Sequence, residues 1–276
     1  MSKEKREEKL INSLKSLSLF VGTGQCNAHC AHCAGRAHRK YAPTEDGIIN
    51  RDLIYNTIKS CYGQGARSLS ISSSGEPTLS PLAVTTVLQL IHECRKEGIE
   101  YSPINLYSNG IRIGKDKKFC DTYLPKWKSY GLTTIYVTIH DVDEEKNAKI
   151  YGVESYPNLE VVVSRIHYAN LLMRGNLVLS RKTIGTFEQF VSTADYLRKI
   201  GVDCISAWPV RGADDKVDSR LSPLESELDK IENWVENNQG DGFIVKLLTE
   251  KSRIMYQTGQ KLTLFPDGTL SNTWCN

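Results

Sequence analysis

No apolar run in this sequence approaches the length of a membrane span, and the stretch Met1 to Lys9, dominated by Lys, Arg and Glu, is not followed by the apolar core of a secretory leader. The expectation from these two absences is a cytoplasmic protein with no membrane partner. Charge of one sign is scarce as well: 35 Lys and Arg against 32 Asp and Glu leave +3, scattered along the chain. So small a surplus does not indicate a nucleic-acid groove. Low-complexity tracts and short internal repeats are missing, and 40% hydrophobic with 24% charged residues is the composition of a chain that buries a core. Cysteine is the exception to this plainness. Of eight cysteines, three fall between Cys26 and Cys33. Clustered thiols in a reducing compartment bind metal or do redox chemistry more often than they form disulfides.

A coarse unit repeats along the chain: a short β-type run, a Gly- or Ser-rich turn, then a helix with apolar residues at helical spacing. Strand-like runs begin near Ser18, Arg67, Ile104, Thr134, Asn176 and Asp203. Strands separated by helices cannot be joined by tight hairpins, so they run parallel through right-handed crossovers. A complete eight-unit barrel takes roughly 250 residues, and only about 190 lie in this stretch, so the spacing predicts an α/β fold with a partial (β/α)6 barrel of parallel strands. The expected divisions are an N-terminal helical extension over 1–17, the barrel over 18–211, and a short C-terminal extension over 212–276, helix and β-type tail, capping the barrel. Helix starts are signalled by Ser80-Pro81, with Leu82, Val87, Leu88, Ile91 and Cys94 near one face and Gly98 as the stop. Thr186 with Gln189, and Ser222 with Glu225, have capping-box spacing. Phe265-Pro266-Asp267-Gly268 reads as a turn between two short strands.

The segment Gly22-Thr23-Gly24-Gln25-Cys26-Asn27-Ala28-His29-Cys30-Ala31-His32-Cys33 follows the apolar Leu19-Phe20-Val21. It therefore lies at the C-terminal end of the first strand, where parallel α/β barrels place their chemistry. A short loop with three thiolates can hold three irons of a cubane and leave the fourth without a protein ligand. The competing reading is a structural zinc, with His29 or His32 completing a Cys3His tetrahedron. Zinc usually staples small loop-rich modules, whereas this loop opens a large domain with a core of its own.

Cysteines spaced three and then two residues apart resemble those of the radical S-adenosylmethionine superfamily, and the resemblance runs from Ser18 to Val210. It implies a [4Fe-4S] cluster on Cys26, Cys30 and Cys33. It also implies S-adenosylmethionine chelated by the open iron, cleaved by one-electron reduction to a 5′-deoxyadenosyl radical that abstracts hydrogen from substrate. The family often has an aromatic residue before the third cysteine; here it is His32. Ser72-Ser73-Ser74-Gly75-Glu76-Pro77-Thr78 resembles the family's Gly-Gly-Glu-Pro-like motif, with Ser74 in place of the first glycine. A glycine at Gly75 permits close approach to a ligand, and Glu76 is implied as acceptor for the methionine ammonium. By the same resemblance Ser108 and Asn109 after the third strand, Thr138 and His140 at the fourth, and Ser180 and Arg181 at the fifth are candidates for the cofactor or substrate. Each of these polar strand ends is equally ordinary turn chemistry.

Cys61, Cys94, Cys120 and Cys204 read as small apolar core residues. Cys275, the penultimate residue, is either an exposed thiol or, with the tail folded over the barrel mouth, a catalytic ligand or hydrogen donor. The resemblance implies an enzyme acting on a peptide or small molecule, supplied with electrons by a partner such as flavodoxin or ferredoxin. Two other functions stay open: a glycyl-radical activating enzyme acting on a protein, and a non-enzymatic zinc or electron-transfer module.

Overall fold

The computed structural model describes residues 14–212, 216–238, 242–247 and 260–272. Its centre is a nine-stranded sheet in the order β7-β6-β5-β4-β3-β2-β1-β8-β9. The strands β1 (Ser16–Phe20), β2 (Ser68–Ser72), β3 (Ile104–Ser108), β4 (Thr134–Ile139), β5 (Leu172–Leu179) and β6 (Cys204–Pro209) follow one another in chain order. Every neighbouring pair among these six is parallel. The partial barrel expected from the spacing is the fold.

Alternation along the strands assigns the two faces. Leu17 and Leu19, Leu69 and Ile71, Ile135, Val137 and Ile139, Met173, Leu177 and Leu179 are buried in one apolar core. The helices α1 (Arg51–Gly63), α2 (Pro81–Lys96), α3 (Ile111–Lys115), α4 (Lys117–Ser129), α5 (Glu144–Tyr151), α6 (Leu159–Tyr168) and α7 (Phe187–Lys199) lie between the strands in sequence and bury their apolar sides in that core. The opposite face, the barrel interior, is polar: Thr263, Ser18, Ser70, Asn105 and Thr134 form one buried row, and Asn176 and Ser206 pair in another.

Several local expectations are corrected. The described end of the expected helical extension over 1–17 is not helical, since Ser16 and Leu17 already pair with Ser68 and Leu69; residues 1–13 lie outside the described residues. β5 starts at Leu172, four residues before the predicted Asn176, because Arg174 and Asn176 supply a polar alternation facing inward. Ser80 precedes α2 without capping it. Its hydroxyl accepts from the Thr23 N–H at 3.1 Å, and Asp46 takes over the cap, accepting from Leu82 and Ala83. Leu82 is 53% exposed and leaves the core face to Val87, Leu88, Ile91 and Cys94. The Thr186–Gln189 capping box is present on α7. The Ser222–Glu225 box is not: α8 (Glu225–Asn237) begins only after Pro223, with Leu224 at its N-cap, while the Ser222 carbonyl accepts from Arg181.

The C-terminal extension widens the sheet at both edges. β7 (Ile244–Leu247) pairs parallel with β6, and β8 (Lys261–Leu264) pairs parallel with β1. β9 (Leu270–Ser271) returns antiparallel through the turn at Phe265 to Gly268, as its sequence suggested. Phe265 packs on Phe20 and stacks on His38 at 4.8 Å, closing the barrel wall beside the cysteine loop.

Candidate active site

The cysteine loop leaves β1 and is fastened to four neighbouring segments. Val21 N–H donates to the Ser72 carbonyl, Thr23 N–H to Ser80, and His29 N–H to the Tyr151 carbonyl at 2.7 Å. Arg36 reaches back to the Cys30 carbonyl at 2.9 Å, and Asn109 Nδ2 donates to Asn27 Oδ1 at 2.7 Å. The loop ends at Cys33, the N-cap of a 3-10 helix over Ala34–Tyr41. A backbone tied at both ends and in the middle fixes the course of the loop that carries the three thiols.

Gly75 belongs to this fastening. A Cβ there would lie 2.1 Å from the Gln25 carbonyl oxygen, and Glu76 N–H donates to that same oxygen at 2.8 Å. The close approach that requires glycine is to the cysteine loop itself. Glu76, 2% exposed, is a hub. One carboxylate oxygen accepts from Thr78 N–H (3.1 Å), Thr78 Oγ1 (2.7 Å) and Ser108 Oγ (2.8 Å); the other accepts from Asn109 N–H at 2.7 Å. Burial raises its pKa above the ordinary carboxylate value, against the four donors that lower it.

The fourth strand delivers His140, 3% exposed, whose Nε2 has no partner among the described residues. Its ring packs edge-on against His32 at 4.9 Å and Tyr151 at 4.7 Å. Burial, and then the charge of His32, push its pKa down to about 3, so it is neutral at physiological pH. This has a measurable consequence. The folded His140 cannot take the proton that an unfolded histidine binds below about 6.5, so its share of stability is full above that pH and is lost as pH falls toward about 3. His140→Phe is expected to flatten acid destabilisation in this window, by up to ~1.4 kcal/mol per pH unit, read from urea midpoints at stepped pH. A parallel acid slope in both proteins would show that another group governs it.

The other expected positions separate. Thr138 lines the interior, its carbonyl accepting from the Tyr151 hydroxyl. Ser180 forms a turn, accepting from Lys182 N–H at 3.3 Å. Arg181 is exposed and donates to the carbonyls of Ser222 (2.7 Å) and Ser219 (3.2 Å), so it braces the C-terminal extension rather than facing a carboxylate. His38 is packing material between Phe20 and Phe265. Cys61, Cys94 and Cys120 are buried in the core, whereas Cys204 is half-buried on the interior face. Cys275 lies outside the described residues. Tyr151 and Tyr156, stacked behind the loop at 5.2 Å, and Arg174 in β5 were not anticipated. The Arg174-Gly175-Asn176 alternation was the available signal for the last.

Burial pushes the Cys26 thiol up, with the charge of Glu76 and then Cys33 adding to it, and burial followed by the Cys33 and Cys26 thiols pushes Cys30 up to about 12, so the three sulfurs stand within one another's field. Two basic side chains, Arg36 and Arg39, reach the same loop and its Ser74 neighbour. Thiols whose negative forms repel one another are a site that a multivalent cation stabilises. Among the described residues, however, no three His, Cys, Asp or Glu side chains converge on a common single-ion position. Thiolates are the usual ligands of an iron-sulfur cluster, and three of them on one fastened loop are the donor set of a cubane with one open iron. The residues present fit the cluster.

Residues 20–216 match the Radical SAM superfamily. The chain belongs to that superfamily. Its members use a [4Fe-4S] cluster and S-adenosylmethionine, and membership makes this a radical SAM enzyme and not a non-enzymatic metal module. Among curated relatives, a probable GTP 3′,8-cyclase of Sulfurisphaera tokodaii is 26% identical over 173 residues, 62% of this chain and 50% of that protein. The GTP 3′,8-cyclase of Pasteurella multocida is 25% identical over 160 residues, covering 55% and 43%. The chain thus spans about half the length of the curated relatives it matches. Streptococcus suis SuiB bound to S-adenosylmethionine superposes with a TM-score of 0.64 at 15% identity, over 98% of this chain and 61% of SuiB, a likeness of fold. Among the described residues no helix of this radical SAM enzyme is long and apolar enough to cross a membrane.

Proposed function

We propose that Cys26, Cys30 and Cys33 hold the [4Fe-4S] cluster at the barrel mouth, and that the enzyme abstracts hydrogen from a small anionic metabolite bound in the polar interior. Arg174 carries the substrate half of this reading. Half-buried on β5, its guanidinium donates to Ser206 Oγ at 3.1 Å and Tyr136 OH at 3.3 Å and lies over the Tyr136 ring at 4.7 Å. None of its partners among the described residues is an acid. An arginine fixed by neutral groups keeps its charge and its fork for a ligand's phosphate or carboxylate.

Tyr107, Tyr136 and Arg174 form one row on the interior face of β3, β4 and β5, and Tyr107 is followed directly by Ser108, the strand end that donates to Glu76. Names among the curated relatives support a nucleotide: GTP has the anionic group and the polar sugar that such an interior would accept. When bound, the cluster and S-adenosylmethionine supply one-electron reductive cleavage and a hydrogen-abstracting 5′-deoxyadenosyl radical. The chain's part is to hold the loop through Glu76 and Asn109, to orient the substrate by Arg174, and to wall the reaction from water. A low-potential one-electron donor, a flavodoxin or ferredoxin, is the partner this chemistry needs.

The test is anaerobic reconstitution, reduction with S-adenosylmethionine present, and addition of fully deuterated GTP. Deuterium recovered in 5′-deoxyadenosine is the expected result. A radical appearing on a protein partner instead would favour the activating-enzyme reading. Arg174→Met is expected to weaken GTP binding by about 10–100-fold, the worth of a charge-assisted hydrogen-bonded contact, with iron content unaltered. Calorimetric titration of the reconstituted protein checks it.

A further inference from the structure

Asn109 was expected to face cofactor or substrate, but its side chain points into the cysteine loop. Its backbone N–H is held by Glu76 at 2.7 Å and its carbonyl by the Tyr156 hydroxyl at 2.8 Å. Its Oδ1 accepts from Ile111 N–H at 3.0 Å, which fixes which end of the amide is oxygen. The amide nitrogen therefore has both hydrogens directed at the loop. One goes to Asn27 Oδ1 at 2.7 Å, and Nδ2 stands 3.8 Å from Cys26 Sγ, within reach of the other. The residue is 9% exposed, so water does not compete strongly for that hydrogen.

We infer that Asn109 sets the reduction potential of the cluster by donating an N–H···S bond to the Cys26 thiolate. Reduction adds one electron from a low-potential donor to the cluster and no proton, so the negative charge shared with the thiolate sulfurs grows. A donor dipole aimed at one of those sulfurs stabilises the reduced state more than the oxidised state and raises the potential. Three side-chain contacts, to Ile111 N–H, Asn27 Oδ1 and Cys26 Sγ, on a backbone itself held at both its N–H and its carbonyl, leave the amide no rotation by which to withdraw. Asn109 is in this account a positioning and tuning residue that acts through Cys26. The inference rests on Cys26 being a cluster ligand.

The experiment is a redox titration of the reconstituted protein, with the reduced cluster followed by electron paramagnetic resonance. Asn109→Leu, which removes the donor, is expected to shift the midpoint to a more negative value at unchanged iron and sulfide content. Asn109→Asp retains the acceptor for Ile111 N–H but sets a negative charge near the sulfur, and its shift is expected to be larger in the same direction. Asn27→Leu frees the amide without touching Cys26 and is expected to shift the midpoint less. Should Asn109→Leu fail to fold or load, the other two carry the test. Loaded variants titrating with the wild-type midpoint, or at a more positive one, would overturn the inference while leaving the cluster assignment intact. A wild-type protein that binds no iron would instead remove the assignment on which it rests.

Discussion

Cys30→Ala is expected to abolish the iron-sulfur chromophore and reductive cleavage of S-adenosylmethionine together. The loop would survive the change, because its hydrogen bonds run through the backbone of Val21, Thr23 and His29, the Cys30 carbonyl itself, and the side chain of Asn27. What disappears is one thiolate of three, and the thiols of Cys61, Cys94 and Cys120, buried in the core, cannot replace it. The activity loss is expected to exceed ~10³-fold, more than about 4 kcal/mol at the barrier. Iron and sulfide analysis with chromatography of 5′-deoxyadenosine measures both. Cys94→Ala, on the core face of α2, serves as the control and should retain its iron. Full activity in Cys30→Ala would move the metal centre elsewhere.

Glu76→Ala is expected to have the largest effect on stability. The substitution leaves Thr78 N–H, Thr78 Oγ1, Ser108 Oγ and Asn109 N–H without their acceptor in a dry environment. Orphaned buried donors cost about 1–3 kcal/mol each, but the two hydroxyls can turn to other partners, and the buried carboxylate is itself held at a desolvation cost, as its raised pKa records. A net loss of about 3–5 kcal/mol follows, or a melting point lower by roughly 10 °C. Glu76→Gln retains an acceptor oxygen and should lose less than half as much. Denaturant titration at constant slope distinguishes the two variants. Equal stability of Glu76→Ala and wild type would mean that the hub does not hold the β2 and β3 ends together.

The barrel was legible because its strands are short β-type runs set apart by helices with clear periodicity, and the cysteines because three thiols at close spacing have few other uses. The polar interior was harder to see. In Leu172-Met173-Arg174-Gly175-Asn176-Leu177-Val178-Leu179 only Met173, Leu177 and Leu179 face the helices, and Arg174 and Asn176 share the other face with Leu172 and Val178. Local hydrophobicity therefore placed the strand four residues late and passed over its most telling side chain. The contacts of Arg181 were not legible because its partners, the carbonyls of Ser219 and Ser222, lie 38 and 41 residues away and carry no sequence signal. The roles of Glu76 and Asn109 had the same obstacle. Both sit at strand ends whose chemistry was visible, but their partners come from other strand ends and from the cysteine loop.

The central claim is a three-thiolate cluster with one iron open to S-adenosylmethionine. Electron-nuclear double resonance on the reduced protein, with S-adenosylmethionine isotopically labelled at its amino nitrogen and carboxylate oxygen, tests it most directly. The account predicts hyperfine coupling from both labels to the cluster spin. A cluster signal with neither coupling, its fourth iron ligated by His29 or His32, would contradict it.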